Sequence, residues 1–325
     1  MAFGNLIAAT ALIGAAVVAP APSHAQDYPS RPIQFIVPST PGTTGDQLAR
    51  LLGPKLSQRW NVPVVVENKV GAGGMIGMEA AAKANPDGYT FLFSATAFST
   101  LPSLRPQLPY DPIKSFSPVV LLGSSPLVLV VTNSVPAKTV SEFVAYVRKQ
   151  APGKLNYASP GLGSVHHLTM ELFKQQTGLF LTHIPYKGTG GALNDLAAGH
   201  VDASVVVLQT ALPLVQGGKI RLLAVMGPQR ATQFPQVPTL SQAGVPNVVS
   251  EAWFGVTAPS GTPATVIAKM NSELNSLLAL PEVRESMAKA GVEPIGGKPE
   301  KLEAMVRSEL TTWAQVVKKG NITAE

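Results

Sequence analysis

Two turns in this chain carry residues able to hold an anion, and each follows a β-type run. In "FIVPSTPGTTGDQLAR" the run Phe35-Ile36-Val37 stops at Pro38, and Ser39, Thr40, Gly42, Thr43 and Thr44 form the turn before a helical pattern. Hydroxyls and unpaired backbone N–H groups at a helix start attract negative charge, helped by the helix dipole. A plainer purpose fits the same residues, because Thr43-Thr44-Gly45-Asp46 ahead of an apolar run matches a capping box. The Asp46 carboxylate is then expected to take at least one of those donors. "SPGLGSVHHL" repeats the logic: a strand ends at Ala158-Ser159, a turn containing Gly163 follows, and Ser164 can cap the next helix. Helical spacing groups His166 with Met170 and Phe173, and His167 with Glu171 and Lys174. His167 and Glu171 at i, i+4 are two metal ligands without a third, so satisfied histidines are the expectation.

Other chemistries lack their parts. "GAGGMIG" places Gly71 and Gly73 as a dinucleotide fingerprint would, but Ile76 stands where the third glycine belongs, and "FLFSATAF" ends without a ribose-binding acid. A close-packed turn without a cofactor is the expectation. No Gly-x-Ser-x-Gly elbow and no Cys are present, and Asp87, Asp111, Asp195 and Asp202 each stand alone near turns or strand starts. Neither paired carboxylates nor a phosphate-binding Gly-Lys-Ser/Thr loop is present.

The elements that must position these turns alternate between β-type runs and helical stretches, the pattern of an α/β fold. "PIQFIVP", "VPVVVEN" and "YTFLFSA" read as strands, and Asp46 to Trp60 as a helix with Leu48, Leu51, Leu52 and Leu56 on one face. Gly53-Pro54 interrupts it, and Pro54 is expected to kink it or remove a hydrogen bond. A second set starts near Pro126 with "LVLVVTN". The last helix, Glu300 to Lys319, is amphipathic through Leu302, Met305, Val306, Leu310, Trp313 and Val317.

A length of 325 residues suggests two domains, and 45% hydrophobic against 14% charged residues marks a compact globular chain. The net charge of +6 comes from scattered Lys and Arg, with aromatics at 6%. That favours anionic small molecules and not nucleic acid. Leu6 to Ala19 is an apolar run broken by Pro20, and Ser23-His24-Ala25 offers small residues for cleavage after Ala25. Residues 1–25 thus read as a signal peptide, which points to export.

Together, "YPSRPIQFIVPSTPGTTGDQLAR", "VVVENKVGAGGMIG", "KANPDGYTFLF", "LPYDP", "GKLNYASPGLGSVHHL", "IPYKGTGGALNDLAAGHVD" and "WFGVTAPSGTP" resemble the substrate-binding proteins of tripartite tricarboxylate transporters, the Bug family. The resemblance runs from about Asp27 to Ile322. It implies a periplasmic, monomeric, non-enzymatic receptor with a two-lobed type II α/β fold. One lobe would be 26–127 plus 250–325, the other 128–249, with "LVLVV" and "WFGVTAP" crossing as the hinge. Its partners would be a small carboxylate and the membrane permease subunits; a sensory module of the same fold is the alternative. A third reading, ester hydrolysis with Ser164 and His167 as nucleophile and base, competes with their cap and cleft roles.

The same resemblance nominates ligand-binding residues: Ser39, Thr40, Gly42, Thr43 and Thr44; Ser94 and Thr96; Ser159, Gly163, Ser164 and His167; and Tyr186 and Asp202 bordering the cleft. Three positions depart from the family's usual pattern. Ser39 is small where an aromatic is usual, Phe98 stands where His is frequent, and Val206 replaces a frequent second Asp. Phe98, Val206 and Leu208 are therefore expected to form an apolar wall for a mono- or dicarboxylate with an apolar or aromatic body. An amino acid is disfavoured, since its ammonium group would lack a counter-charge.

Overall fold

The computed structural model describes residues 28–105 and 107–323, so the expected signal peptide lies outside the described residues. The described chain opens with β1 (Ile33–Val37), α1 (Thr44–Trp60), β2 (Val64–Asn68), α2 (Met75–Ala82), β3 (Thr90–Ala95) and α3 (Ala97–Leu104). β1 runs parallel to both β2 and β3, so the loops after Val37, Asn68 and Ala95 share one edge. A long strand, β4 (Phe116–Thr132), leads to α4 (Val140–Arg148), β5 (Asn156–Ser159), α5 (Val165–Thr177) and β6 (Thr182–Pro185). Then come α6 (Thr189–Ala198), β7 (Ala203–Val207), α7 (Leu208–Gln216) and β8 (Ile220–Val225). β5 is parallel to β6 and β7, which again brings C-terminal strand ends to a common edge. β9 (Glu251–Pro259), α8 (Ala264–Leu278), α9 (Pro281–Lys289), β10 (Glu293–Pro294) and α10 (Pro299–Gly320) follow.

One strand joins the two half-sheets of this two-lobed α/β fold. Between Phe116 and Pro126, β4 pairs antiparallel with β9; from Leu127 to Val131 it pairs with β7, and from Val128 to Thr132 with β8. On the return crossing, Met226 N–H donates to Leu127 O at 2.7 Å and Ser250 N–H donates to Met226 O at 2.8 Å. The sequence shows β4 only from Pro126 onward because Pro118, Gly123 and Pro126 break its earlier half. The strand absorbs these residues through register shifts between Pro118 and Val120 and between Leu121 and Gly123. Gly123 is required where β10 crosses: a Cβ there would lie 2.4 Å from Glu293 O and 2.8 Å from Val292 Cγ1.

Each half-sheet is covered on both faces. In the first lobe Phe35 and Val37 pack beneath Leu48, Leu52 and Leu56 of α1, while Ile36, Leu92 and Trp253 face Met78 and Leu302. In the second, Leu127, Leu129 and Val131 meet Phe143 and Phe173, and Val128 and Val206 meet Leu193 and Leu196. α10 divides its apolar face between the lobes: Leu302 and Val306 enter one core, Trp313, Val316 and Val317 the other. α1 is continuous through Gly53-Pro54, contrary to the expected interruption. Pro54 faces solvent, and burying Leu48, Leu52 and Leu56 at about 1.5–3 kcal/mol each outweighs a proline cost of about 3 kcal/mol.

Gly123→Ala should therefore lower the unfolding free energy by about 1–3 kcal/mol in urea titrations. Gly190→Ala, in α6 with nothing within 4 Å of the added carbon, should be neutral or stabilising by up to about 1 kcal/mol. Equal effects of the two changes would contradict this packing.

Candidate functional site

A cavity of about 480 Å³ lies between the lobes. Ala72 and Gly73, ahead of α2, form one wall, and the segment from Pro160 to His166, which enters α5, forms the opposite one. α3 supplies Thr96, Ala97, Thr100, Leu101, Leu104 and Arg105. These six positions recur at i, i+4 and i+8, so they are one stripe of the helix. α3 and α5 therefore begin at the cavity, one from each lobe, with the glycine turn ahead of α2 beside them, and the first turn of a helix leaves N–H groups without intrahelical partners. Their dipoles add positive potential at the same places. From behind, Glu309 of α10 accepts hydrogen bonds from Ser99 Oγ of α3 and, at 2.7 Å, from Trp253 Nε1 of β9. Burial raises the pKa of this carboxyl.

The wall from the second lobe is pinned by a buried polar stack. Gly163 N–H donates to His167 Nδ1 at 3.0 Å, which assigns the ring proton to Nε2 and keeps the imidazole neutral. His167 stacks on His183 with ring centroids 3.9 Å apart, and His183 in turn stacks on Tyr157 at 4.8 Å. Burial, reinforced by His183 and Lys174, lowers the pKa of His167 to about 3; burial, helped by Lys174 and opposed by Glu171, lowers that of His183 to about 4. Ser159 Oγ meets His183 Nε2 at 2.7 Å, donates to Gly161 O at 3.0 Å and accepts from Gly161 N–H at 3.2 Å. Ser164 caps α5, donating to Gly161 O at 2.8 Å and accepting from His167 N–H at 3.3 Å. Gly163 has φ +73°, and a Cβ there would lie 2.3 Å from Leu104 Cδ1 of the first lobe. His166 borders the cavity with an unpartnered, buried Nδ1, and desolvation lowers its pKa to about 4.

Of the residues nominated from sequence, Thr96, Gly163 and Ser164 stand on the cavity wall. Ser39, Thr40, Gly42, Thr43 and Thr44 lie beside it on the same sheet edge, bonded among themselves. Ser39 Oγ meets Thr43 Oγ1 at 2.7 Å, and Thr43 Oγ1 donates to Thr40 O at 2.9 Å. The capping box is replaced: Thr43 makes no side-chain cap, and Asp46 accepts from Gly42 N–H at 2.9 Å. That bond, with Arg50 and Asn68, outweighs the burial of Asp46 and lowers its pKa. Ser94 is buried beneath the edge, its Oγ without a partner among the described residues. Ser159 supports the loop, and Tyr186 N–H donates to Ser159 O at 2.9 Å while its hydroxyl donates to Asp195 at 2.5 Å.

Four expectations need correction. Phe98 is buried against Phe116 at 5.0 Å between centroids, on the far side of α3 from the cavity. Val206, like Leu208, belongs to the second-lobe core, and neither lines this cavity. Asp202 accepts from Asn156 N–H at 2.8 Å, at the start of β5 and away from the edge that carries Ser159. His167 stands behind the loop as its support, with Nδ1 already used, so it is not placed as a base for Ser164. The sequence missed Thr100, Leu101, Leu104, Arg105 and His166. Their signal was the four-residue spacing in "TAFSTLPSLR", obscured by Pro102 and by the single residue separating β3 from α3.

The model of the tripartite tricarboxylate transporter family receptor matches residues 48–322. Protein BugT of Bordetella pertussis is 38% identical over 301 residues, covering 92% of each chain. The solved structure of R. palustris Rpa4515 with adipate is 36% identical with a TM-score of 0.78, covering 91% of this chain and 99% of that one. MatC from Rhodopseudomonas palustris with bound malate is 32% identical with a TM-score of 0.74, covering 89% and 100%. The chain belongs to the tripartite tricarboxylate transporter receptor family. Its members are periplasmic substrate-binding receptors.

A histidine with a lowered folded pKa refuses a proton that the unfolded chain accepts. For His167, between its ordinary value near 6.5 and about 3, the unfolded state binds more protons, so stability falls as pH falls. Above that window the contribution is constant. His167→Gln should make the unfolding free energy less pH-dependent between about 6.5 and 3, by up to about one proton. Identical slopes in denaturant titrations of the two proteins would contradict the neutral, loop-holding imidazole.

Proposed function

We propose that this chain is a periplasmic receptor that captures a small carboxylate between its lobes and delivers it to the membrane subunits of a tripartite transporter. The carrying observation is the convergence of the α3 and α5 starts, one from each lobe, and the hydroxyls of Thr96 and Thr100 on one interlobe cavity. Neither hydroxyl is tied to another protein group among the described residues, whereas Ser159 and Ser164 spend theirs on the loop. A carboxylate accepting such donors gains about 1.5–3 kcal/mol from each charge-assisted bond, and a few suffice for micromolar binding. The cavity walls carry no Asp or Glu, so an ammonium group would enter without a counter-charge. The bound adipate and malate of Rpa4515 and MatC support a carboxylate ligand.

In this reading residues 1–25 direct export and are removed after Ala25. Residues 26–127 with 250–325 move as one lobe and 128–249 as the other, and the protein acts as a monomer. On closure the Ser39–Thr44 turn joins the wall from its place on the same edge, with Ser94 supporting it. Ligand touching both lobes favours the closed form by its differential affinity, which is the signal that membrane subunits can read.

Isothermal titration with adipate, malate and related mono- and dicarboxylates should give saturable, micromolar heats for at least one. Thr96→Val and Thr100→Val should each weaken that binding about 5–10-fold. Absence of heat with every carboxylate would overturn the proposal.

A further inference from the structure

The cavity contains a fixed positive charge that binding a single carboxylate does not require. Arg105 lies at the far end of the α3 stripe, on the row of Ala97 and Leu101. It is half-buried, and no carboxylate among the described residues forms an ion pair with it. The cavity walls supply no acid either. From Ala97 to Arg105 a helix rises about 12 Å. Between those ends the wall is apolar, with Leu101, Leu104 and Val165. The contact of Leu104 with Gly163 brings the start of α5 toward the Arg105 end of the stripe, and both line the same cavity.

We infer that Arg105 is the specificity-determining residue of this cleft, holding the second carboxylate of an aliphatic α,ω-dicarboxylate whose first carboxylate lies at the start of α3. This rests on the carboxylate-receptor reading above. The two ends differ in kind. Thr96, Thr100 and the open N–H groups of α3 take the first carboxylate through neutral donors. Arg105 takes the other with a planar fork that can donate two parallel hydrogen bonds. Methylenes between them lie against Leu101, Leu104 and Val165. The aromatic body expected from Phe98 and Val206 has no wall to meet, because both side chains are in the core. A plainer role for Arg105 is to sit at the C-terminal end of α3 and complement its dipole. That role predicts a change in stability without a change in ligand choice.

The test is isothermal titration of the full-length protein, Arg105→Gln and Arg105→Lys with succinate, adipate and suberate, and with butyrate, hexanoate and octanoate as matched monocarboxylates. The wild type should prefer at least one dicarboxylate over its matched monocarboxylate by about 10-fold or more. Arg105→Gln should weaken that dicarboxylate about 10- to 100-fold, leave monocarboxylates within about 2-fold, and so remove the preference. Arg105→Lys should restore part of it. Retained monocarboxylate binding shows that the variant is folded. If Arg105→Gln keeps the dicarboxylate preference, or the wild type shows none, the role of Arg105 is overturned while the receptor reading stands. If the wild type binds no carboxylate of either series, both fall.

Discussion

The hydrogen bond from Gly163 N–H to His167 Nδ1 is the interaction on which this cleft depends. It requires a lone pair on that nitrogen, and therefore a neutral ring. Burial in a stack of Tyr157, His183 and His167 supplies the condition by penalising the charged form. With the loop held in this way, Gly163 adopts its positive φ, Leu104 fits against it, and Ser164 starts α5 facing the first lobe. A protonated imidazole would turn an acceptor into a donor and set it against the Gly163 amide. A buried histidine in the first turn of α5 thus determines where the second lobe's donors point.

Connection between the lobes is correspondingly economical. β4 belongs to both half-sheets, and the return crossing runs alongside it through Leu127, Met226 and Ser250. α10 is bound to both cores, through Leu302 and Val306 at one end and Trp313 to Val317 at the other. In the proposed receptor, opening would bend β4 and the return crossing near Leu127 and Ser250 while α10 keeps or shifts its grip. Glu309 ties that same helix to Ser99 beneath the cavity wall and to Trp253 in β9. Movement of α10 is therefore felt at α3, the element that carries most of the wall.

Much of this architecture was legible in the sequence, and the exceptions have physical causes. Long apolar rows gave α1 and α10, and clustered β-branched residues gave β1, β2 and the second half of β4. The first half of β4 was hidden because Pro118 and Gly123 look like breakers, although bulges and the close approach of β10 accommodate them. The family resemblance nominated Thr96, Gly163 and Ser164, which follow strand ends closely and line the cavity. Comparison with the family's pattern misplaced Phe98 and Val206, since an apolar residue near a strand end can face the core or the cleft, and only packing decides between them. His167 was assigned to a helix face shared with Glu171 and Lys174, which is correct. That face is buried, however, which one-dimensional spacing does not reveal. Arg105 was missed because nothing in the sequence aligned it with Thr96 and Thr100 until α3 was seen as a helix.

The central claim is that helix starts on opposite lobes present their amides to one carboxylate guest. Amide nitrogen–proton correlation spectra recorded through a titration with adipate test it most directly. The largest shifts should fall at Ala97, Val165 and His166, with protection from hydrogen exchange at the same amides. Saturable binding that leaves the starts of α3 and α5 unmoved would contradict the account.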